Sequence, residues 1–229
     1  MWSGAGERRF LPAFVWPSMR LFDADPPVAR RQVDACRVAS PSAPSRSYGY
    51  GALTYYTADM VWALPDDGHR YETVHGELLV TPAPGLEHQY VVLELAARLR
   101  DYLRIHPGGQ VLISPADISW APDVLVQPDV FDTAIAEART FDWKQIKTLL
   151  LAIEVLSPST SRYDRFTKRR LYQEYGVPWY WTVDIHGRAD EIWTPEAACP
   201  AIEREQLVWH PRGATEPLVI PLADILPRV

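Results

Sequence analysis

Leu149-Leu-Leu-Ala-Ile-Glu-Val-Leu-Ser-Pro-Ser-Thr160 is the stretch on which the reading of the fold turns. Its first eight residues form an apolar run of strand length, and such a run predicts a strand buried on both faces. Ser157 to Thr160 offers caps for a following helix, read over Arg162 to Tyr175 and closed by Gly176. A further strand is predicted over Trp179 to Asp184. This β–α–β step makes two parallel neighbours joined by a right-handed crossover.

Upstream, Glu87 to Ile105 is the clearest helix, with Val92, Leu95, Ala96, Leu99, Tyr102 and Leu103 at helical spacing. His106-Pro-Gly-Gly109 stops it. Two more strands are read between these helices, over Gln110 to Trp120 and Val124 to Phe131. The central order is therefore helix, three strands, helix, strand. A short helix is predicted over Thr57 to Leu64 with Thr57 as N-cap, then a hairpin over Tyr71 to Val80 bending at Gly76. The chain after Glu191 reads as further strands and a tail. Residues 1–51 combine Pro, Ser and Arg without hydrophobic periodicity, so they are expected to be a flexible extension to a domain spanning 52–229.

The chain has 229 residues, net charge −6, two cysteines and 47% hydrophobic residues, the composition of a globular protein. No apolar run reaches the roughly 18–20 residues that span a bilayer. With Cys36 in the N-terminal segment and no metal-ligand spacing, a reducing cytoplasm is expected. The acidity excludes a protein that coats nucleic acid through global charge, though not one with a local basic groove.

Glu154 lies inside the buried run. An unpaired carboxylate there is costly, so it is either matched by a cation or metal, or sits at the strand's open end in a salt bridge or in water. Asp129 follows Pro128, which cannot donate to a ladder and places a bulge or a turn at that point. Carboxylates on two neighbouring strands can share one hard cation through oxygen ligands. Lys168 is either the basic group beside such a site or half of an i,i+4 surface pair with Asp164. His88, near the start of the first long helix, reads on its own as a local hydrogen-bonding residue. Glu72 and Glu77 read more simply as strand residues than as extra acids of the site, and Tyr172 as helix packing rather than a base-stacking group.

Pro128-Asp129, Ile153-Glu154-Val-Leu-Ser-Pro-Ser-Thr160, Asp164, Lys168, Tyr172, Gly176-Val177 and Tyr180-Trp-Thr-Val-Asp184 resemble the Uma-two family of restriction endonucleases. Tyr71-Glu72, Gly76-Glu77-Leu78, Pro84 and His88 extend the resemblance over Leu53 to Trp193. It implies an α/β (α+β) restriction-endonuclease-like core of the PD-(D/E)XK superfamily, a central mixed β-sheet flanked by helices. It also implies a DNA substrate, with Asp129 and Glu154 as ligands of Mg²⁺ (or Mn²⁺), and Lys168 and His88 as further catalytic residues. The superfamily's lysine usually stands two residues after the glutamate. That place is Leu156, and the resemblance points to Lys168 on the next helix instead. Arg162, Arg165 and Arg169 are candidates for DNA phosphate contacts. Cleavage of both strands with one site per chain implies a homodimer. A catalytically inactive DNA-binding module with the same fold is the alternative, and a two-carboxylate glycoside hydrolase ranks behind both.

Overall fold

A computed structural model describes residues 54–227; the flexible-extension reading of residues 1–51 lies outside them. The description begins with a short helix, α1 (Ala58–Trp62), whose N-cap Thr57 accepts the Met60 N–H through its hydroxyl at 3.3 Å. Strands β1 (Arg70–Val74) and β2 (Glu77–Thr81) form the predicted antiparallel hairpin. His75 and Gly76 both have positive φ, 50° and 81°, at its two-residue bend. A Cβ on Gly76 would collide with the ring of Tyr55, whose hydroxyl is anchored on Asp123 at 2.6 Å. Gly76→Ala is therefore expected to cost roughly 1–2 kcal/mol from the left-handed backbone alone. A thermal melt that matches the parent protein would contradict this.

Helix α2 (Leu86–Ile105) buries Val91, Leu95, Leu99, Tyr102 and Leu103. Val92 and Ala96, read from the sequence as part of its core stripe, are only partly buried at the margin. Past α2 the structure divides two of the expected strands. Gln110 to Trp120 is two elements, β3 (Gln110–Ile113) and β4 (Ile118–Ala121), parted at a cis Ser114–Pro115 bond. Val124 to Phe131 is likewise β5 (Val124–Val126) and β6 (Val130–Thr133), parted at Gln127-Pro128-Asp129. A proline supplies no ladder N–H, so at each of these points the chain leaves one sheet and enters another.

The chain continues through α3 (Ile135–Ala138) to β7 (Leu149–Val155). The helix expected over Arg162 to Tyr175 starts as a π-helical turn, Tyr163–Lys168, and becomes regular as α4 (Arg169–Glu174). Strands β8 (Tyr180–Val183), β9 (Asp190–Trp193) and β10 (Ala201–Glu203) follow. The hairpin β11 (Gln206–Trp209)–β12 (Leu218–Pro221) and helix α5 (Leu222–Ile225) complete the described chain.

Six strands form the central sheet in the order β10-β9-β8-β7-β6-β3. Only β7 and β8 pair in parallel, Ala152 opposite Tyr180 through Val155 opposite Val183, so the sheet is mixed. The core order α2-β3-β6-β7-α4-β8 is the helix, three strands, helix, strand sequence read from the chain. A second sheet, β2-β1-β5-β4, holds the pieces that the two proline breaks removed.

Alternation along β7 divides the interior in two. Leu151, Ile153 and Val155 join α2, Trp209, Ile220 and Ile225 in one cluster. Ala152 faces the other way, into a cluster with Phe131, Val74, Val126, Tyr172 and Tyr180. Glu154 shares the parity of Ala152. Its carboxylate therefore belongs to the side on which α4 and the second sheet meet the central one.

Candidate active site

Glu154 lies one step from the open end of β7, and Asp129 immediately precedes β6. The β6–β7 register pairs Val130 with Ile153, so one residue further Asp129 faces Glu154. The Asp129 carboxylate extends the ladder itself, its Oδ2 accepting the Val155 N–H at 2.9 Å. The proline break is what lets a side chain occupy a backbone position in this ladder.

Six further side chains converge on this pair. Strand β1 sends Arg70 and Glu72, two residues apart and so on one face. Arg70 Nη1 donates to Asp129 Oδ1 at 2.8 Å. Helix α2 contributes His88, whose Nε2 lies 3.0 Å from Asp129 Oδ2. The π-helical turn supplies Asp164 and Lys168, and α4 supplies Tyr172. Lys168 Nζ is 2.8 Å from Glu72 Oε2, 3.1 Å from Glu154 Oε1 and 3.4 Å from Asp164 Oδ1. The Tyr172 hydroxyl donates to Glu154 Oε1 at 3.1 Å. Glu72 also accepts the Gln127 N–H at 2.6 Å, tying β1 to the proline break.

The electrostatics follow from burial. Glu72, Asp129, Glu154, Asp164 and Lys168 are each at most 3% exposed. Four carboxylates thus face two permanent cations, Arg70 and Lys168, and negative charge is in excess. Burial drives the Glu154 carboxyl well above the usual glutamate range, and Asp164, Asp129 and Glu72 push the same way against Lys168. Asp164 is raised first by burial, with Asp129 and Glu72 adding to it. Burial acts on Asp129 too, but the His88 hydrogen bond and the Arg70 charge overcome it and hold that carboxyl at about 2. Burial works against the Lys168 ammonium, yet Glu154, Glu72 and Asp164 keep it charged well above the ordinary lysine range. The Tyr172 phenol is pushed up by burial and by Glu154, so it stays a donor.

Removing the guanidinium leaves the Asp129 carboxylate with His88 and the Val155 N–H as its hydrogen-bond partners. Arg70→Met is expected to cost about 2 kcal/mol at neutral pH, the scale of a hydrogen bond to a charged group. Because the Asp129 carboxyl is depressed, its contribution is present above the unfolded-state value and vanishes as pH falls toward about 2. The gap between variant and parent in urea melts should therefore close toward acid; a constant gap would reject this cause.

The donor set fits a hard divalent cation: it is all oxygen, acidic and buried. Glu72 Oε2 and Asp164 Oδ1 are buried without a directed hydrogen bond, although both lie near Lys168 Nζ. Among the described residues no three His, Cys, Asp or Glu side chains stand as a finished cage.

A family model described as "Putative restriction endonuclease" matches residues 58–223. The chain belongs to the Uma2 family. The matched span of this Uma2 chain contains every residue of the cluster just described. A crystal structure titled as a putative nuclease from Anabaena variabilis ATCC 29413 superposes with a TM-score of 0.61 at 20% identity. The match covers 74% of this chain and 97% of that one, which shows a shared fold. No curated protein matches the sequence.

Asp129, Glu154, Lys168 and His88, singled out from the sequence, stand together in the Uma2 domain. Lys168 and Asp164 are the i,i+4 pair that the sequence suggests, but the pair is buried rather than on the surface. Glu72, read as a strand residue, is part of the cluster, whereas Glu77 is exposed. Arg70 was not visible as a site residue; its only local signal is its parity with Glu72. Tyr172 is both packing and a hydrogen-bond donor to the site. Of the candidate phosphate contacts, Arg162 is exposed. Arg165 is bound to Asp184 at 2.8 Å and Glu191 at 3.0 Å, and Arg169 lies over the Trp193 ring and donates to Gln173.

Proposed function

We propose that this Uma2 protein is a divalent-metal-dependent endonuclease that hydrolyses DNA phosphodiester bonds, with Mg²⁺ held by Asp129 and Glu154. The observation behind this reading is the convergence of three buried carboxylates on one lysine, with a fourth, Asp129, held beside them by Arg70, so that negative charge is in excess. When bound, the cation supplies a positive charge for the phosphoryl oxygens and lowers the pKa of water. Mn²⁺, also a hard oxygen-seeking ion, is expected to substitute.

The protein's own groups have separate tasks. Lys168 holds Glu154 in place, and since its ammonium stays charged it donates hydrogen bonds and does not act as a base. Its role is to position the attacking water and to offset charge as the phosphorane-like transition state forms. Arg70 and His88 flank Asp129 and meet the phosphate from the side of β1 and α2. Tyr172 fixes Glu154 from behind. Arg162 provides a backbone phosphate contact outside the site. Two chains, each carrying one such site, would cut both strands.

Plasmid DNA incubated with Mg²⁺ is expected to be nicked or linearised, and EDTA or Glu154→Gln to abolish this. Equal conversion in all three conditions would reject the mechanism. The alternative is a non-catalytic DNA-binding module, favoured by Leu156 at the usual lysine position, where it is buried. DNA binding with no heat of Mg²⁺ binding in calorimetry would support that alternative.

A further inference from the structure

Above Arg70, His88 and Asp129 the site opens into a cleft of about 650 Å³. These three residues form its polar floor. One wall is apolar: Leu86, Tyr90 and Leu93 of α2, with Ile113 at the end of edge strand β3. They are 87%, 43%, 64% and 46% exposed. The spacing of residues 86, 90 and 93 makes one stripe on α2, separate from the stripe Val91, Leu95, Leu99 that faces the core. Single apolar residues at a surface are ordinary, whereas several bordering one cleft mark a binding surface.

The occupant must satisfy both parts of the cleft at once. Arg70 and His88 suit an anionic oxygen group, while the wall suits a flat apolar face a few ångströms away. A nucleotide has this division, with phosphate at one end and base at the other. Within a duplex the base faces are already stacked on their neighbours, so the nucleotide that offers a face to Tyr90 along a strand is an unpaired one. Net charge matters as well. At −6 the chain as a whole repels DNA, and stacking supplies attraction without depending on phosphate charge.

Resting on the nuclease reading above, we propose that the cleft receives an unpaired DNA nucleotide beside the scissile phosphate, its base stacked on Tyr90 between Leu86 and Leu93. The preferred substrate is then DNA with a single-stranded tail, flap or frayed end rather than intact duplex.

The test is made in EDTA, so that binding is read without cleavage. Fluorescence anisotropy compares a blunt duplex with the same duplex carrying a single-stranded tail, and 2-aminopurine in the tail reports stacking. The tailed DNA should bind about tenfold more tightly, with quenched 2-aminopurine, and Tyr90→Ala should lose roughly 5- to 150-fold of that affinity. Tyr90→Phe keeps the ring and should bind as the parent does. Phe141→Ala, an exposed aromatic that does not line this cleft, is the unaffected control. Equal binding of both DNAs, or a Tyr90→Ala protein that binds and quenches like the parent, overturns the proposal. So does a Tyr90→Ala protein that merely dissociates from dimer to monomer, because the wall then belongs to a second copy. Mg²⁺-dependent cleavage is scored separately: tail binding without cleavage removes the nuclease reading and leaves only the nucleotide site in the cleft, and cleavage indifferent to Tyr90 does the reverse.

Discussion

Lys168→Met is expected to be the most damaging single change to the fold. The substitution keeps most of the side-chain volume and deletes the one cation that Glu72, Glu154 and Asp164 share. Breaking a buried ion pair by removing one partner typically costs 3–5 kcal/mol, because the remaining charge is left without compensation. Here three carboxylates are left. In a domain of this size that corresponds to a fall in Tm of roughly 10 °C.

The pH dependence identifies the cause. Glu154 and Asp164 already have raised carboxyl pKa values in the folded protein, and losing the ammonium raises them further. A raised acid favours folding below its unfolded value and loses that contribution as pH climbs through its folded value. The deficit in Lys168→Met should therefore be smallest in acid and grow from the ordinary carboxylate range upward. Mg²⁺ should restore part of the lost Tm, since a ligand that binds only the folded chain stabilises it by mass action. An unchanged Tm, or a deficit flat with pH, would show that the lysine does not hold this cluster together.

Glu154→Gln should give the opposite separation: intact fold, lost cleavage. An amide resembles the protonated carboxyl that burial favours at this position, and its carbonyl can still accept from Lys168 and Tyr172. Stability at neutral pH is expected to stay within about 1 kcal/mol of the parent, the central size of a point-substitution effect. The raised Glu154 carboxyl makes the parent lose stability as pH rises through that group, and the variant should lack that component. Cleavage should fall by about 10³-fold or more, since metal assistance accounts for several kcal/mol of barrier and each 1.4 kcal/mol is tenfold. The rise in Tm on adding Mg²⁺ should shrink with it. A variant that cuts DNA at the parental rate would remove Glu154 from the chemistry.

What the sequence made legible, and what it hid, follows from how far each contact reaches along the chain. Glu154 stood out because a carboxylate within Leu149 to Leu156 conflicts with its neighbours. Asp129 stood out because Pro128 interrupts a strand. Both are local signals. Lys168 was picked out by the family resemblance alone, and its burial was not visible at all. On a helix Asp164 and Lys168 look the same whether they face water or another sheet, and only packing against β1 decides. Arg70 and Glu72 reach Asp129 and Gln127 across 59 and 55 residues, and nothing near residue 70 announces that pairing. The undivided strands have a related origin. The apolar pattern runs on through Pro115 and Pro128, so periodicity alone could not show that each proline moves the chain to a different sheet.

The π-helical turn at Tyr163–Lys168 fixes a rotational phase. Every residue along a regular helix advances the side chains by about 100°, so deleting one residue from this turn would rotate everything on one side of the deletion by that amount relative to the other. Asp164 and Lys168 before the junction, and Tyr172 after it, could no longer all address Glu154. Insertions and deletions here should therefore be far less tolerated than substitutions, and a relative that lacks the widened turn would need its lysine one position away.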